Sequence, residues 1–185
     1  MPDLTKIDNT WTLFLDRDGV INLEKVEDYI YNYSEFVFYG GVLEALSIIN
    51  RYFGPVIIVT NQRGISKELM TELDLMEIHN HMLKDVEAAG GRIDAIYYNT
   101  ALENDHPDRK PNPGMALKAR EDFPEIDFSK SIMVGNNISD MEFGRNTGMI
   151  TAFITSTSPN QQLPHPAIDM AFNSLLNFAK ALPAR

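Results

Sequence analysis

At 185 residues, 44% of them hydrophobic, the chain can bury a core without staples and is too apolar to be disordered. Its formal net charge of −10, with 16 basic residues scattered apart from Arg109-Lys110, excludes a surface built to grip a polyanion but admits a small phosphorylated substrate. The lack of cysteine excludes disulfides and thiolate metal sites. No run reaches membrane-spanning length and the first residues carry no signal-peptide pattern, so the expectation is a cytoplasmic protein without membrane contact.

Residues 1–10 read as a polar lead-in and 11–15, Trp-Thr-Leu-Phe-Leu, as the first strand. The run has no polar alternation, the pattern of a strand buried on both faces. Asp16 and Asp18 follow at its exit, and Gly19 allows a sharp turn there. Over 23–39 aromatic residues from Tyr29 to Phe38 alternate with polar ones, predicting a short hairpin or flap with the rings packed beneath it. Val42, Leu46, Ile49 and Phe53 recur at helical spacing, so a helix runs to about 52 and breaks at Gly54-Pro55. Residues 56–59 form a second buried strand that delivers Thr60, Asn61 and Gln62 to the edge holding Asp16.

Thr71 and Asp74 have capping-box spacing, and Leu75, Ile78, Met82, Val86 and Ala89 continue as one apolar stripe to Gly90-Gly91. His79 and His81, two apart, do not share a face and read as surface or boundary residues. Residues 93–98 are a third strand, 99–113 a polar loop and 115–122 a short helix. Strand 131–134 leads into Gly135-Asn136-Asn137-Ile138-Ser139-Asp140, then a helix from about Ser139 closing at Gly148. Strand 150–154, a loop over 156–166, an edge strand over 168–172 and a helix through Leu175, Leu176 and Ala179 complete the chain. Such alternation predicts a single α/β domain over 1–185, a three-layer Rossmann-like sandwich with a mainly parallel sheet.

Four strand exits carry polar groups that belong together: Asp16 and Asp18, then Thr60, then Arg109 and Lys110, then Asn136 and Asp140. The set suits phosphoryl transfer through an aspartyl-phosphate. A phosphate monoester repels an anionic nucleophile, and Mg2+, which prefers oxygen ligands, removes that repulsion. Asp16 is placed to attack phosphorus and Asp18 to protonate the leaving alkoxide and then activate water. Thr60 can donate to a phosphoryl oxygen and Lys110 can offset charge on the transferring group. Taken singly, the same residues have plainer readings: Asp-x-Asp as a turn, Thr60-Asn61-Gln62 as hydrogen-bonded turn residues, Arg109-Lys110 as a solvated charge pair. Arg63, Lys67 and Arg145 could each reach a substrate and are equally readable as plain surface.

Asp-Arg-Asp-Gly-Val-Ile-Asn, Thr-Asn-Gln-Arg-Gly-Ile, Arg-Lys-Pro-Asn-Pro-Gly-Met and Gly-Asn-Asn-Ile-Ser-Asp together resemble the four motifs of the haloacid dehalogenase superfamily. Within it they are similar to the capless branch that holds D,D-heptose 1,7-bisphosphate and histidinol-phosphate phosphatases, over a motif-bearing core of about 11–155. The resemblance implies a fold of that superfamily with no large cap. It implies Asp16 as nucleophile, Asp18 as acid/base, and Thr60, Asn61, Gln62, Arg109 and Lys110 around phosphate and substrate. It also implies Mg2+ held among Asp16, the Asp18 carbonyl, Asn136 and Asp140. The expected substrate is a small phosphorylated metabolite, foremost a heptose bisphosphate. Histidinol phosphate and a non-catalytic phosphate-binding module stay open; DNA is disfavoured by charge, and a monomer is admitted.

Two departures stand out. Relatives place Asp after the fourth-motif glycine; here Asn136 brings a carbonyl without charge, which predicts weaker metal binding or compensation by Asp140. Relatives often hold zinc before Arg109 with three cysteines and a histidine. This chain offers Asn99, Ala101, His106 and Asp108, so no structural zinc is expected and the prolines are expected to hold the loop.

Overall fold

Among the described residues, 2–25 and 28–183 of this computed structural model, six strands form one all-parallel sheet. They are β1 (Thr12–Leu15), β2 (Val56–Asn61), β3 (Ala95–Asn99), β4 (Ser131–Gly135), β5 (Ile150–Ile154) and β6 (Met170–Phe172), in the order β3-β2-β1-β4-β5-β6. The helices are α1 (Val42–Ile49), α2 (Glu72–Ala88), α3 (Gly114–Asp122), α4 (Ile138–Thr147) and α5 (Leu175–Lys180). The strand order reverses between β1 and β4, whose carboxyl ends therefore frame the crevice where an open α/β sheet takes its ligand.

The central strands are apolar on both sides because both faces are covered. Leu13, Leu15, Val56, Ile58, Ile132 and Val134 enter one core with α1, α2 and α5. Phe14, Ile57, Val59 and Met133 enter the other with α3 and α4. Each such side chain, removed from water, contributes roughly 1.5–3 kcal/mol.

Local chemistry sets the helix ends. Thr71 and Asp74 form the expected reciprocal capping box, with Thr71 N–H donating to Asp74 at 2.8 Å. Asn137 and Asp140 form a second one that starts α4, which ends on Gly148 in the left-handed region, φ 83°. Observed boundaries lie within a few residues of the expected ones, with α1 stopping at Ile49 and β3 starting at Ala95.

Two local expectations are corrected. Of the hairpin or flap expected over 23–39, no regular hairpin strands form among the described residues: the segment holds a 3-10 turn, Tyr33–Glu35, and its ends meet at an isolated antiparallel bridge, Asn22 to Phe38, flanked by Leu23 N–H on Val37 O and Tyr39 N–H on Ile21 O; Val26 and Glu27 lie outside the described residues. Its rings do pack inward: Phe36 is buried, stacked on Tyr33 and edge-on to Phe38. His79 is no boundary residue, being only 6% exposed, because positions 75, 78, 79, 82 and 86 form one buried stripe on α2.

Candidate active site

The exits of β1, β2 and β4 and the loop before α3 line a polar cavity of about 280 Å3. Around it stand Asp16, Asp18, Thr60, Asn61, Arg109, Lys110 and Asp140 from the expected set, with Glu24, Asn137 and Ser139 added. Lys110 sits at its centre, 3% exposed. Its ammonium reaches Asp16 Oδ1 at 2.8 Å and Asp140 Oδ1 at 2.7 Å, joining residues 94 and 30 positions away in the sequence.

Burial, followed by the charge of Asp140, raises the Asp16 carboxyl to about 7 although Lys110 pulls the other way. Burial alone would depress the Lys110 ammonium, yet Asp140 and Asp16 outweigh it and hold the group above its ordinary value. Glu24 is also pushed up by burial, partly offset by a 3.4 Å hydrogen bond from Asn136 Nδ2. Asp16, Asp18, Glu24 and Asp140 thus share the cavity with Arg109 and Lys110, while a third cation, Arg17, holds Asp18 from behind.

Asp18 lines the cavity, 29% exposed, but its carboxylate is gripped from behind. Arg17 Nη2 lies 2.9 Å from both oxygens, Asn22 Nδ2 donates at 2.9 Å and Gln62 Nε2 at 2.8 Å. Burial would raise this carboxyl, but Arg17 and these donors hold it below the usual range. Thr60 Oγ1 accepts from Gln62 Nε2 at 2.8 Å, so its own proton is left for the cavity. Asn61 clamps the Lys110 backbone, accepting from its N–H at 3.2 Å and donating to its C=O at 3.3 Å. The Arg109 guanidinium is lowered by burial and by Arg63, and its Nη1 is buried without a hydrogen-bond partner among the described residues.

Three expectations about the site need correction. Gln62 is turned inward, 2% exposed, and serves Asp18 and Thr60 rather than the cavity. Asp140 is not a bare ligand: Oδ1 lies on Lys110 at 2.7 Å and Oδ2 accepts from the Asn137 N–H at 3.0 Å, so a metal would share those oxygens with the partners they already have. The loop before Arg109 is not held by its prolines alone: Asn99 Nδ2 meets His106 Nδ1 at 3.0 Å, and Asn112 Nδ2 donates to the His106 carbonyl at 2.9 Å. Arg145, a candidate for substrate, is instead paired with Asp169 at 2.5 Å, and Lys67 lies over the Tyr29 ring.

Gly19 is needed for two reasons. It adopts φ 83°, and a Cβ there would collide with the Asn136 amide. Gly19→Ala is expected to cost about 1–2 kcal/mol from the left-handed backbone alone, and to displace Asn136 as well. Chemical denaturation would measure the first effect, and Mg2+ titration the second.

Among the described residues no three acidic or histidine side chains form a ready metal cluster. Mg2+ is commonly held by one or two carboxylates together with substrate phosphate. Asp16, whose carboxylate lines the cavity, fits such an ion as a hard oxygen donor. Asn136 is 1% exposed and stands outside the cavity lining, its Nδ2 toward Glu24 and its Oδ1 accepting from Asn137 Nδ2 at 3.2 Å.

Residues 6–180 match the family model for polynucleotide kinase 3 phosphatase. The chain belongs to this family, and through it to the haloacid dehalogenase superfamily that its four motifs resemble. Among relatives, the chain is 38% identical over 151 residues to the D-glycero-alpha-D-manno-heptose-1,7-bisphosphate 7-phosphatase of Campylobacter jejuni, covering 80% of this chain and 83% of that one. It is 33% identical over 173 residues to the enzyme of the same name from Mycobacterium bovis, covering 93% and 91%. The fold is similar to that of D,D-heptose 1,7-bisphosphate phosphatase from B. bronchiseptica, crystallised with magnesium and phosphate, with a TM-score of 0.82, 24% identity and 93% and 97% coverage. The site of this member of the polynucleotide kinase 3 phosphatase family also gathers residues that the sequence did not single out. Arg17 lies inside the first motif and Ser139 inside the fourth, so both were in view; Glu24, an acid in an irregular segment, gave no signal.

Proposed function

We propose that the chain is a Mg2+-dependent phosphatase that removes one phosphate from a small phosphorylated sugar, foremost a heptose 1,7-bisphosphate at its 7-position, through an aspartyl-phosphate at Asp16. One observation carries the reading: a single buried ammonium, Lys110, holds Asp16 and Asp140 in a cavity shared with Thr60 and Arg109. The relatives' names point to the heptose, and the net charge of −10 disfavours the polynucleotide of the family's name.

Asp16 attacks phosphorus, and the bond from phosphorus to the sugar oxygen breaks. Asp18, once protonated, gives its proton to that oxygen, and then takes one from the water that cleaves the acyl phosphate and frees Asp16. The ionised, Arg17-bound form of Asp18 is the base of the second half; loosening its hold on Arg17 favours the protonated form needed first. Lys110, the Thr60 hydroxyl and Arg109 take up charge on the phosphoryl oxygens. Mg2+, held by the Asp16 carboxylate, the Asp18 backbone carbonyl and the Asn136 side-chain carbonyl, would neutralise the approach of two anions.

Phosphate release in Mg2+ from heptose bisphosphate, histidinol phosphate and a short 3′-phosphorylated DNA tests the reading. Release from the heptose bisphosphate is expected to dominate. Faster release from either competitor, or none from any substrate, overturns it.

Two expectations follow for the metal. With Asp16 near 7, protons compete with Mg2+, so the apparent affinity for the ion is expected to fall about tenfold between pH 8 and pH 6. Calorimetric titration without substrate checks this. Asn136→Asp adds a ligand charge, and is expected to tighten Mg2+ several-fold while lowering stability without the ion, because the new carboxylate faces Glu24.

A further inference from the structure

Arg17 heads the fully buried side chains although it carries a permanent charge, and it is 1% exposed. Its guanidinium is divided between two kinds of partner. On the cavity side it holds Asp18, and its Nη2 also donates to Gln62 Oε1 at 3.3 Å. On the far side Nη1 meets His79 Nε2 at 3.1 Å, from a helix 62 positions along the chain.

Because arginine has only donors, His79 Nε2 must accept, which fixes the ring proton on Nδ1. Burial, with Arg17 beside it, pushes His79 down to about 3, so the ring stays neutral and remains an acceptor at any ordinary pH. Its edge lies against Tyr98, 6.2 Å between centroids, which restrains the ring plane.

The hydrogen bonds leaving Arg17 converge on groups of the reaction. Gln62 is oriented by giving its carbonyl to Arg17, and its amide then donates to both Asp18 and Thr60. One guanidinium plane therefore sets the acid/base carboxylate directly and the phosphate-facing hydroxyl through Gln62. Nε, at 3.3 Å, joins Nη2 on Asp18, so the guanidinium meets the carboxylate through two nitrogens. His79 is the acceptor for Nη1, the nitrogen facing away from Asp18, and so holds the guanidinium from the other end.

We propose that His79 is a positioning residue for the phosphatase reaction, acting through Arg17 to fix Asp18 and, through Gln62, Thr60. The role rests on the proposed phosphatase activity. It draws on α2, a helix outside the four motifs, to complete the site. His79 touches neither substrate nor metal.

The test compares His79→Leu, which keeps bulk but removes the acceptor, with His79→Gln, whose side-chain oxygen can reach the place of Nε2. Misplacement of catalytic groups by about an ångström costs on the order of a hundredfold. His79→Leu is therefore expected to lose between tenfold and a hundredfold in kcat with KM within about twofold of wild type, and His79→Gln to recover most of the loss. In an Asp18→Asn background, His79→Leu should cost little more. If the leucine variant does not fold, His79→Asn, polar but too short to reach Arg17, replaces it with the same expectation. Equal kcat in His79→Leu and wild type overturns the proposal, as does equal loss in the leucine and glutamine variants. A wild-type protein that releases no phosphate would instead sink the phosphatase reading itself, a result separable from either.

Discussion

Asp16→Asn is expected to abolish phosphate release, with a fall in kcat of at least about a thousandfold, if Asp16 is the nucleophile as proposed. The same change leaves the fold intact and alters its response to pH. In the wild type the Asp16 carboxyl holds its proton more tightly folded, at about 7, than at its unperturbed 3.8. The folded state therefore binds more protons than the unfolded state between those values, and stability declines as pH rises from about 4 to about 7. Below that window the group is protonated in both states and the penalty is absent. An asparagine cannot ionise, so this part of the decline disappears in the variant. Melting temperatures of both proteins from pH 4 to 8, without Mg2+, provide the check: parallel curves would show that Asp16 titrates as an ordinary carboxyl. Activity and stability are opposed at this position, as expected where charge is concentrated for chemistry.

Lys110→Met is expected to produce the largest loss of stability of any single change at the site. The methionine fills a similar volume but leaves Asp16 and Asp140 buried beside each other without a counter-charge. Breaking a buried ion pair from one side costs about 3–5 kcal/mol, and here one cation serves two anions. The ammonium is held above its ordinary pKa, so its stabilising contribution is fully present at neutral pH and fades only in strong alkali. Urea denaturation at pH 7 measures the loss. Mg2+ should restore part of the stability by supplying the missing positive charge, while phosphate release stays low because the transferring group has lost its neighbouring cation. A Lys110→Met protein as stable as wild type would show that the two carboxylates are protonated or solvated rather than paired.

The elements were legible because their signals are local. A strand such as Leu13-Phe14-Leu15, buried on both faces, shows itself as an uninterrupted apolar run, and Thr71 with Asp74 announces a helix start through chemistry confined to one turn. The hairpin reading of 23–39 over-reached for a related reason: the alternation is real, but the rings of Tyr33, Phe36 and Phe38 pack on one another around a 3-10 turn, and only the ends of the segment pair. His79 lay within reach of a closer reading, since it falls between Leu75 and Met82 on the buried stripe of its own helix.

From the sequence alone came the parallel α/β sheet, the gathering of four motifs at one edge, and the acids, hydroxyl and cations proposed to act on phosphate. The fold decided how those groups divide the work. Which carboxylates Lys110 neutralises, that Asp140 spends both oxygens on Lys110 and a helix cap, and that Gln62 turns inward to serve Asp18 are matters of distance between strands far apart in sequence. Residue type and spacing establish what a side chain can donate or accept; partner choice depends on burial and on contacts that exist only once the sheet has closed over them.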